Sequence, residues 1–537
     1  MSDPFLFDPR PWEDLRARFR WPRPRFYNIA EAICERWARA APERVALTYV
    51  RPDGELRDYS YLQLSRASSR LANALEARGV TRGDRIAILL PQTPEALLTH
   101  LAAYKIGAIA VPLFTLFGED GLRYRLGQAG CKALVTDRDN LPKIEAIRGD
   151  LPELSIIYSI DERVGGTFGF WQELGKAADR FDMAETGPDD PAFISFTSGT
   201  TGPPKGALHG HRVLMGHLPG VRTHHGFLPQ PGDRMWTPAD WAWMGGLMNA
   251  LMPALYFGVP VICHRVGKFD PDHAYWLMDR MHVRNAFLPP TALKLMRQSD
   301  GRAALRSVGA AGEALGAEMA EWGREHLGTT INEFYGQTEC NAVLGNAHRV
   351  FPARPGSTGK PVPGYDVAII DRHGNRLGPG VPGEIAIARG GASMFLGYWN
   401  RPDRTEEKFR GQWMLTGDEG VMDEDGYFWF RARADDVITS SGYRIGPSEI
   451  EDCLSGHPAV AMAAVVGVPD PVRTEIVKAF VVTLPGADRE GLADALTAHV
   501  RDRISPHVAP RIVEFVDALP MTATGKIMRK DLRDGGG

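Results

Sequence analysis

The stretch ISFTSGTTGPPK at residues 194–205 decides how the rest of the chain is interpreted. An apolar run leads into a segment of Thr, Ser and Gly that ends at Lys205. Glycines allow successive backbone N–H groups to converge on one point, hydroxyls add donors, and the lysine supplies a compact positive charge. The spacing differs from the Walker A pattern, which disfavours a P-loop NTPase. The segment therefore predicts a loop that binds the oxygens of a polyphosphate.

On both sides of this loop, short apolar runs alternate with helical patterns. Before it, strands are predicted at 85–90, 108–113 and 133–136, with a helix over 95–106. This βαβ order predicts parallel sheets covered by helices. After it, the apolar stretch 247–263 is interrupted by Asn and Pro and falls short of about 18 continuous apolar residues, so buried core is expected there and not a membrane span.

The sequence changes character near residue 430. A strand is predicted at 426–430, a polar link at 431–436, a helix at 447–454, and strands at 463–468 and 479–483. We therefore expect an α/β protein of two parts. They are a large multi-lobed N-terminal domain at 1–434, with parallel-type sheets covered by helices, and a small α+β C-terminal domain at 435–537.

Composition excludes several classes of protein. The 537 residues include 62 basic and 66 acidic ones, for a net charge of -4, which argues against a general nucleic-acid binder. The five cysteines form no CxxC pair, which favours free thiols in a reducing compartment. The first twenty residues lack the apolar core of a signal peptide, so a cytoplasmic location is expected.

Further motifs follow the phosphate loop in a fixed order. They are AGEAL at 311–315, EFYGQTE at 333–339, LTGD at 415–418, RARADD at 431–436, SSGYRIGPSEI at 440–450 and PMTATGK at 520–526. The ordered set resembles the adenylate-forming (AMP-binding) superfamily, which includes acyl-CoA synthetases, peptide-synthetase adenylation domains and luciferases. Residues 311–315 resemble the adenine-binding segment of that family. Ala314 and Ala432 stand where the family usually has proline and glycine.

The resemblance implies an ATP site assembled from these motifs. Its ATP- and AMP-binding positions would be Thr197, Ser198, Gly199, Thr200, Thr201, Gly202, Lys205, Gly312, Glu313, Ala314, Glu333, Phe334, Tyr335, Gly336, Gln337, Asp418, Phe430, Arg433 and Arg444. Tyr335 offers a flat face to the purine, and base–aromatic stacking contributes roughly 1–3 kcal/mol in nucleic-acid systems. The Asp418 carboxylate suits the two ribose hydroxyls, and Arg433 suits the ribose or the α-phosphate.

The same resemblance implies the catalytic groups, which would be Lys526, Thr338 and Glu339. Thr338 would donate to a phosphate, and Glu339 is a hard oxygen ligand suited to Mg²⁺. A carboxylate is a poor electrophile until it is joined to AMP, which is a competent leaving group for a thiol. Lys526 would neutralise charge on the α-phosphate and carboxylate oxygens during that joining step.

In the resembling family the C-terminal domain is mobile and swings between two half-reactions. One orientation brings the terminal lysine to the site, and the other opens a path for the thiol. Asp435 occupies the hinge position. Related enzymes are modified at the terminal lysine, so a lysine acetyltransferase acting on Lys526 is among the implied partners.

The stretch VPDPVRTEIVKAFVV at 468–482 resembles medium-chain acyl-CoA synthetases. That match implies coenzyme A as a co-substrate. Its binding residues would be Ser441, Gly442, Tyr443, Arg473 and Arg501, with Arg473 facing the phosphates of CoA.

The acyl pocket is expected around WTPADWAWMGG at 236–246, which resembles a segment of acetyl- and medium-chain synthetases. Trp241, Trp243 and Met244 supply apolar walls. Acetyl-CoA synthetases carry a tryptophan where this chain has Gly336. A glycine there predicts a larger acid, of the medium-chain, branched or aromatic kind, in place of acetate.

Two other functions stay open at this point. The first is an adenylation enzyme that transfers the acyl group to a carrier protein instead of CoA. The second is a sensor that binds an adenylate without turnover. The 468–482 segment argues against the first alternative. Intact Lys526, Thr338 and Glu339 argue against the second.

Overall fold

The computed structural model describes residues 3–161, 163–197, 203–265, 267–313, 315–433, 436–440, 443–470, 473–506, 508–522 and 525–535. Several predicted site residues lie outside these ranges: Ser198, Gly199, Thr200, Thr201, Gly202, Ala314, Asp435, Ser441 and Gly442. The side chains of Tyr443 and Arg444 are also outside the description.

Helices cover the faces of four sheets. Short π-helical segments at Glu31–Glu35 and Leu247–Leu251 and a 3₁₀ turn at Arg148–Asp150 accompany the α-helices. The α-helices are α1 Trp12–Arg18, α2 Arg36–Ala40, α3 Tyr61–Glu76, α4 Pro94–Ile106, α5 Glu119–Ala129, α6 Leu141–Ile147, α7 Phe170–Lys176, α8 Val213–His224, α9 Met244–Gly246, α10 Met252–Tyr256, α11 Pro271–Arg280, α12 Pro290–Met296, α13 Ala317–His326, α14 Pro402–Glu407, α15 Pro447–Ser455, α16 Leu492–Arg503 and α17 Arg529–Asp534.

The strands are short, and most of them lie in the first 433 residues. They are β1 Val45–Val50, β2 Leu56–Ser60, β3 Arg85–Leu89, β4 Ile109–Pro112, β5 Cys131–Thr136, β6 Ile156–Ser159, β7 Phe168–Gly169, β8 Pro191–Phe196, β9 Gly206–Gly210, β10 Met235–Trp236, β11 Val261–His264, β12 Asn285–Phe287, β13 Ser307–Ala310, β14 Ile331–Gln337, β15 Asn341–Gly345, β16 Lys360–Pro361, β17 Val367–Ile370, β18 Gly383–Ala388, β19 Gly397–Tyr398, β20 Phe409–Arg410, β21 Trp413–Met422, β22 Phe428–Arg433, β23 Ile438–Ser440, β24 Tyr443–Ile445, β25 Val460–Asp470, β26 Thr474–Thr483 and β27 Ile512–Phe515.

Helix α4 illustrates how the sequence determines the local structure. Thr93 precedes it, and its hydroxyl accepts from the amide of Ala96. Pro94 occupies the first helical position, where its missing N–H costs nothing. Gly107 ends the helix in the left-handed region at φ 75°. These start and stop signals place the helix within one residue of its predicted bounds.

Two sheets of the N-terminal part have parallel centres. One has the order β16-β15-β14-β13-β12-β10-β11-β1-β2, and the other β19-β9-β8-β4-β3-β5-β6-β7. Strands at their ends run antiparallel, including β15 beside β14 and β9 beside β8. The fold-class prediction is confirmed, and the stretch 247–263 is buried core as expected.

A third sheet of the N-terminal part was not predicted. It has the order β17-β18-β21-β20, with β22 paired to β21, and its strand pairs are antiparallel. Strand β22 extends through Arg433, so 431–433 are strand and not the predicted polar link. The reason is pairing, because Arg433 stands opposite Asp418 and Ala432 opposite Glu419.

The C-terminal segment builds a separate small sheet. Its order is β24-β23-β26-β25, with β27 added parallel to β26, and helices α15 and α16 pack together beside it. Buried apolar side chains between Ile438 and Ala509 form one cluster of their own. A boundary at 434/435 stays a prediction. Among the described residues, no helix is long and apolar enough to cross a membrane.

Candidate active site

The phosphate loop leaves strand β8 and returns at strand β9. Its base is closed by Thr197, whose amide donates to the carbonyl of Lys205 over 2.9 Å. The ammonium of Lys205 lies 4.8 Å from the ring centre of Tyr398. Burial lowers the pKa of Lys205, and the negative charge of Glu339 opposes that shift. The lysine predicted from the motif is therefore held at the root of the loop and faces an acidic group.

Glu339 is buried in the turn between β14 and β15, and Thr338 beside it is half-buried. The hydroxyl of Tyr398 donates to Oε1 of Glu339. No group of three or more metal-ligating side chains exists among the described residues. A single buried carboxylate near a phosphate loop fits Mg²⁺, which keeps most of its waters and is usually held by one or two carboxylates plus phosphates.

Asp418 links the first and third sheets. Its Oδ2 accepts from the hydroxyl of Tyr335 over 2.5 Å and from Nε2 of Gln337 over 2.7 Å. The side-chain amide of Gln337 also donates to the carbonyl of Thr416 over 2.8 Å. Strand β14 of one sheet and strand β21 of another therefore meet at this carboxylate.

The second oxygen of Asp418, Oδ1, is buried and has no hydrogen-bond partner among the described atoms. The residue as a whole is 4% exposed. Nη1 of Arg433 lies 3.8 Å away, beyond hydrogen-bond range. Burial raises the pKa of Asp418, which Arg433 opposes. Phe430 lies nearby, with its ring centre 6.4 Å from that of Tyr335. A buried acceptor without a partner suits the hydroxyls of a ribose.

The predicted adenine segment is tied to strand β14 by Glu333. The amide of Leu315 donates to Oε1 of Glu333 over 3.3 Å, and Glu333 is 6% exposed. Burial raises the pKa of Glu333 to about 8. Glu313 is half-buried, and burial raises its pKa as well. Gly312 is exposed next to it.

The side chain of Phe334 belongs to the core. Its ring is buried and stacks on His224 at 4.7 Å between centres, and it lies 5.7 Å from Phe287. Neighbouring residues of a strand point to opposite faces, so Phe334 turns away from the face that carries Tyr335. The ring is placed for packing, which leaves its backbone as the part that can face a nucleotide.

Gly336 has a structural role that the pocket prediction did not foresee. A Cβ built on Gly336 would lie 1.6 Å from the backbone oxygen of Asn341, at an irregularity in the pairing of β14 with β15. A Cβ at this position would therefore point into the hairpin, and close backbone approach requires a glycine here. That Gly336 also sets the size of the acyl pocket stays a prediction.

The three predicted acyl-wall residues differ in placement. Trp241 and Met244 are buried members of the large core cluster. Trp243 is half-buried, with its ring edge 3.1 Å from where a Cβ on Gly312 would stand. Its ring centre is 5.5 Å from that of Phe287. Trp243 is thus the indole that reaches the predicted adenine segment.

Lys526 lies on a hairpin that docks on the N-terminal part of the chain. The amide of Ile527 donates to Oε1 of Glu313 over 3.3 Å. Crowding by protein atoms lowers the pKa of Lys526, although the residue remains exposed. The negative charges of Glu313, Asp418 and Glu339 oppose that shift. The structure therefore brings the terminal lysine together with the carboxylates of the predicted ATP site.

The predicted CoA-binding residues with described backbones lie in the C-terminal sheet. Tyr443 and Arg444 begin strand β24, and Ser440 of β23 pairs with Thr474 of β26. Arg473 directly precedes Thr474 at the tip of the β25–β26 hairpin, and its amide donates to Asp470. Because Ser440 pairs with both Tyr443 and Thr474, the backbones of Tyr443 and Arg473 lie close together. The weaker candidate, Arg501, is exposed in the last turn of helix α16. That helix packs against helix α15 and strand β27.

Three residues of this region were missed from the sequence. Tyr398 contacts both Lys205 and Glu339, and its only signal was the Gly-Tyr step that forms β19. Lys408 donates to the carbonyl of Leu415 over 2.9 Å, beside the predicted ribose carboxylate. Thr291 contacts the Lys526 hairpin. Lys408 and Thr291 had no signal in spacing or composition, because their positions depend on tertiary packing.

Comparison with known proteins agrees with this geometry. Residues 34–399 match the family model of the AMP-binding enzyme, and residues 449–526 match the AMP-binding enzyme C-terminal domain. The first match covers the phosphate loop and Glu339, and the second ends at Lys526.

The similarity to individual proteins extends over nearly the whole chain. Acyl-coenzyme A synthetase ACSM4, mitochondrial, of Rattus norvegicus is 35% identical, over 99% of this chain and 95% of that protein. The acyl-CoA synthetase of Brucella canis has a TM-score of 0.76 at 36% identity, over 98% of both chains. The anthranilate CoA ligase AuaEII, solved with anthranoyl-AMP, has a TM-score of 0.88 at 29% identity, over 95% of this chain and 98% of that one. The chain therefore belongs to the AMP-binding enzyme family, in which it is an AMP-forming acid–CoA ligase of the acyl-CoA synthetase type.

Proposed function

We propose that this chain joins a medium-chain, branched or aromatic carboxylic acid to coenzyme A through an acyl adenylate. A carboxylate oxygen attacks the α-phosphorus of ATP, the bond to the β-phosphate breaks, and pyrophosphate leaves. The thiol of CoA then attacks the acyl carbon, and AMP leaves with the bonding electrons. The observation that carries the proposal is the docking of the Lys526 hairpin beside Glu313, where the charges of Asp418 and Glu339 act on the lysine.

The residues divide into those that hold the nucleoside and those that hold its phosphates. Asp418 would accept the ribose hydroxyls through Oδ1, while Tyr335 and Gln337 hold its other oxygen. Tyr335 would also support the purine. Lys205 and Thr338 would bind the phosphates. Positioning of this kind removes much of the entropic cost of bringing ATP and the acid together.

Glu339 would hold Mg²⁺, which supplies positive charge to the phosphate oxygens when it is bound. Burial of Glu339 and the hydroxyl of Tyr398 keep its carboxylate in place. Lys526 would contribute a further positive charge where negative charge develops on the α-phosphate and the carboxylate. Its approach as part of a mobile domain allows the lysine to leave when the thiol must enter.

The second half-reaction would use another part of the C-terminal domain. Rotation about Asp435 would remove Lys526 and bring Ser441, Gly442 and Tyr443 toward the adenylate. Arg473, at the neighbouring hairpin tip, would then face the phosphates of CoA, and Arg501 would contribute from helix α16. The pairing of Ser440 with Thr474 supports one joint CoA surface for Tyr443 and Arg473.

The acid is proposed to contact Trp243, which is half-buried beside the adenine segment. An indole wall suits an apolar or aromatic acyl group better than acetate. The similar ligase AuaEII takes anthranilate, an aromatic acid, which supports the aromatic part of this proposal. Trp241 and Met244 would stiffen this wall from the core.

Two statements about the cellular setting complete the proposal. A lysine acetyltransferase would inactivate the enzyme at Lys526, since acetylation removes the charge and the residue is exposed. A cytoplasmic location stays a prediction from the sequence, and the similar rat protein is named as mitochondrial.

The test is a pyrophosphate-release screen across acetate, butyrate, hexanoate, branched acids and benzoate, with and without CoA. Acid-dependent release, with thioester formed only when CoA is present, is the expected result. Replacement of CoA by a phosphopantetheinyl carrier protein separates the carrier-loading alternative. ATP binding without release for every acid would show a sensor and not an enzyme.

A further inference from the structure

Backbone and side-chain hydrogen bonds tie together the described residues of the hairpin that carries Lys526. Met521 and Ile527 form a bridge, and the amide of Met528 donates to the carbonyl of Pro520 over 2.9 Å. Thr522 and Lys526 bond each other twice, from the Thr522 amide over 2.8 Å and to the Thr522 hydroxyl over 3.1 Å. The position of Lys526 is therefore set by wherever the whole hairpin docks.

The N-terminal part holds this hairpin on both sides of Lys526. The hydroxyl of Thr291, on helix α12, donates to the carbonyl of Gly525 over 3.4 Å. Oε1 of Glu313 accepts from the amide of Ile527 over 3.3 Å. The residues before and after the lysine are thus each bonded through their backbones, and Lys526 between them is exposed.

The contact at Gly525 is close. Gly525 has φ +82°, a region that side chains rarely adopt, and a Cβ there would lie 2.9 Å from the hydroxyl oxygen of Thr291. A glycine is needed both for the turn and for the approach to helix α12. The glycine of the terminal motif therefore belongs to the docking contact as well as to the hairpin.

The charge of Glu313 supports the same docked state. Burial raises the pKa of Glu313, and the positive charges of Lys294, Arg529 and Lys526 oppose the rise. An anionic acceptor strengthens the bond from the Ile527 amide. Its carboxylate oxygen is engaged with the hairpin, although Glu313 lies in the motif that the sequence assigns to adenine.

We propose that Thr291 and Glu313 are positioning residues that latch the Lys526 hairpin onto the N-terminal domain for the adenylation step. The inference rests on the proposed function, in which Lys526 acts only in that step. Release of both bonds would accompany rotation of the C-terminal domain before thioester formation. Thr291 and Glu313 of the large domain would thereby control the position of Lys526 on the small domain.

Two pairs of variants in the full chain test the latch. Thr291→Val removes the hydroxyl, and Thr291→Ser restores it. Glu313→Ala removes the acceptor, and Glu313→Gln restores an acceptor oxygen without the charge. Glu145→Gln, at an exposed carboxylate on helix α6, is the matched control. Each protein is assayed for acid-dependent pyrophosphate exchange, for KM of ATP, and for thioester formation from supplied acyl-AMP.

The latch predicts that Thr291→Val and Glu313→Ala lower kcat for adenylation by about tenfold or more, with KM for ATP unchanged. Thioester formation should be retained or accelerated. Thr291→Ser should match the wild type, and Glu313→Gln should recover part of the rate. A higher KM for ATP at unchanged kcat in Glu313→Ala would make Glu313 a nucleotide ligand and overturn the latch.

The outcome also separates this inference from the proposed function. Absence of pyrophosphate exchange in the wild-type enzyme with every acid would contradict the proposed function itself. Exchange that is active in the wild type, lost in Lys526→Ala and unchanged in both latch variants would contradict only the latch. Equal loss of both half-reactions in Thr291→Val and Glu313→Ala would also contradict it, because a latch acts on one half-reaction.

Discussion

Gly336 and Asn341 approach so closely that no side chain fits between them: a Cβ on Gly336 would stand 1.6 Å from the backbone oxygen of Asn341. Both residues belong to the β14–β15 hairpin, which also carries Tyr335. The glycine on which the prediction of a larger acid rests is therefore also a packing requirement of the hairpin.

This contact predicts the outcome of Gly336→Trp. The substitution should displace the hairpin and lower kcat/KM for acetate, hexanoate and benzoate together, because Tyr335 and Glu339 move with it. The measurement is kcat/KM for the three acids and Kd for ATP in both proteins. Selective retention of acetate activity, with ATP binding intact, would show instead that the indole enters an acyl cavity and that the hairpin adapts.

Much of the fold follows from local signals in the sequence. Helix α4 and strands β3 to β5 lie within about two residues of their predicted bounds, because their caps and apolar runs are contained in the segments themselves. The antiparallel third sheet was missed partly because strand β18 pairs with β21 over a long separation, as Ala388 does with Trp413, although β20–β21 and β21–β22 are local hairpins. The residue pattern of one strand does not show which distant strand it pairs with.

The candidate site was predicted in its parts but not in its contacts. Motif order led to Asp418, Glu339 and Lys526, which the structure brings together. Tyr398 and Thr291 were missed, because each acts through a neighbour that is more than fifty residues away in sequence. Side chains alternate between the two faces of a strand, so Phe334 can be placed in the core only when the face that carries Tyr335 is known.

Asp418→Asn should weaken ATP binding while preserving the fold. An asparagine oxygen can still accept from Tyr335 and Gln337, but the atom in the place of Oδ1 becomes a donor that cannot accept from ribose hydroxyls. Loss of hydrogen bonds to a charged acceptor costs about 1.5–3 kcal/mol, so Kd for ATP should rise roughly 10- to 100-fold. Calorimetric titration measures this Kd, with Asp366→Asn, at an exposed position just before strand β17 of the same sheet, as the control. An unchanged Kd would remove Asp418 from the ribose site.

Glu333 predicts how stability depends on pH. Burial raises its pKa to about 8, with a smaller contribution from the charge of Asp452, so the folded state retains a proton that the unfolded state has lost. The stabilising contribution of the Glu333 carboxyl is fully present below its ordinary pKa, and it is lost as pH rises toward 8. Glu333→Gln should flatten this decline, seen as a smaller drop in Tm between pH 7 and 8.5.

The buried histidines do not account for a loss of stability between pH 7 and 8.5. Burial lowers the pKa of His100, His209 and His225 to about 3, so they destabilise the fold only as pH falls below their ordinary value. Asp452→Asn should be measured beside Glu333→Gln. Burial also raises the pKa of Asp452, to about 7, so this carboxyl contributes to the same decline in stability. The same fall in Tm in wild type and Glu333→Gln would rule out Glu333 as its source.

A reversible cross-link tests whether the C-terminal domain must move. A Cβ on Gly525 would lie 3.6 Å from that of Thr291, within the usual range of about 3.5–4.5 Å for a disulfide. In Thr291→Cys/Gly525→Cys, oxidation should block thioester formation from acyl-AMP and should retain or raise adenylation relative to the reduced protein, because the cross-link holds the docked state. Reduction should restore thioester formation. Comparison of one protein in two redox states cancels the strain of a side chain at φ +82°. Full thioester formation in the cross-linked protein would mean that no rotation is required.

Lys526 should act in adenylation and not in thioester formation, and Lys526→Ala separates these two half-reactions. The measurement is acid-dependent pyrophosphate exchange beside thioester formation from supplied acyl-AMP, with Lys530→Ala, at an exposed lysine of helix α17, as the matched control. Removal of a charge that acts on the transition state should lower exchange by about 100- to 1,000-fold and leave thioester formation within about twofold of the wild type. Equal loss of both half-reactions in a folded Lys526→Ala protein, or retention of exchange, would contradict the account.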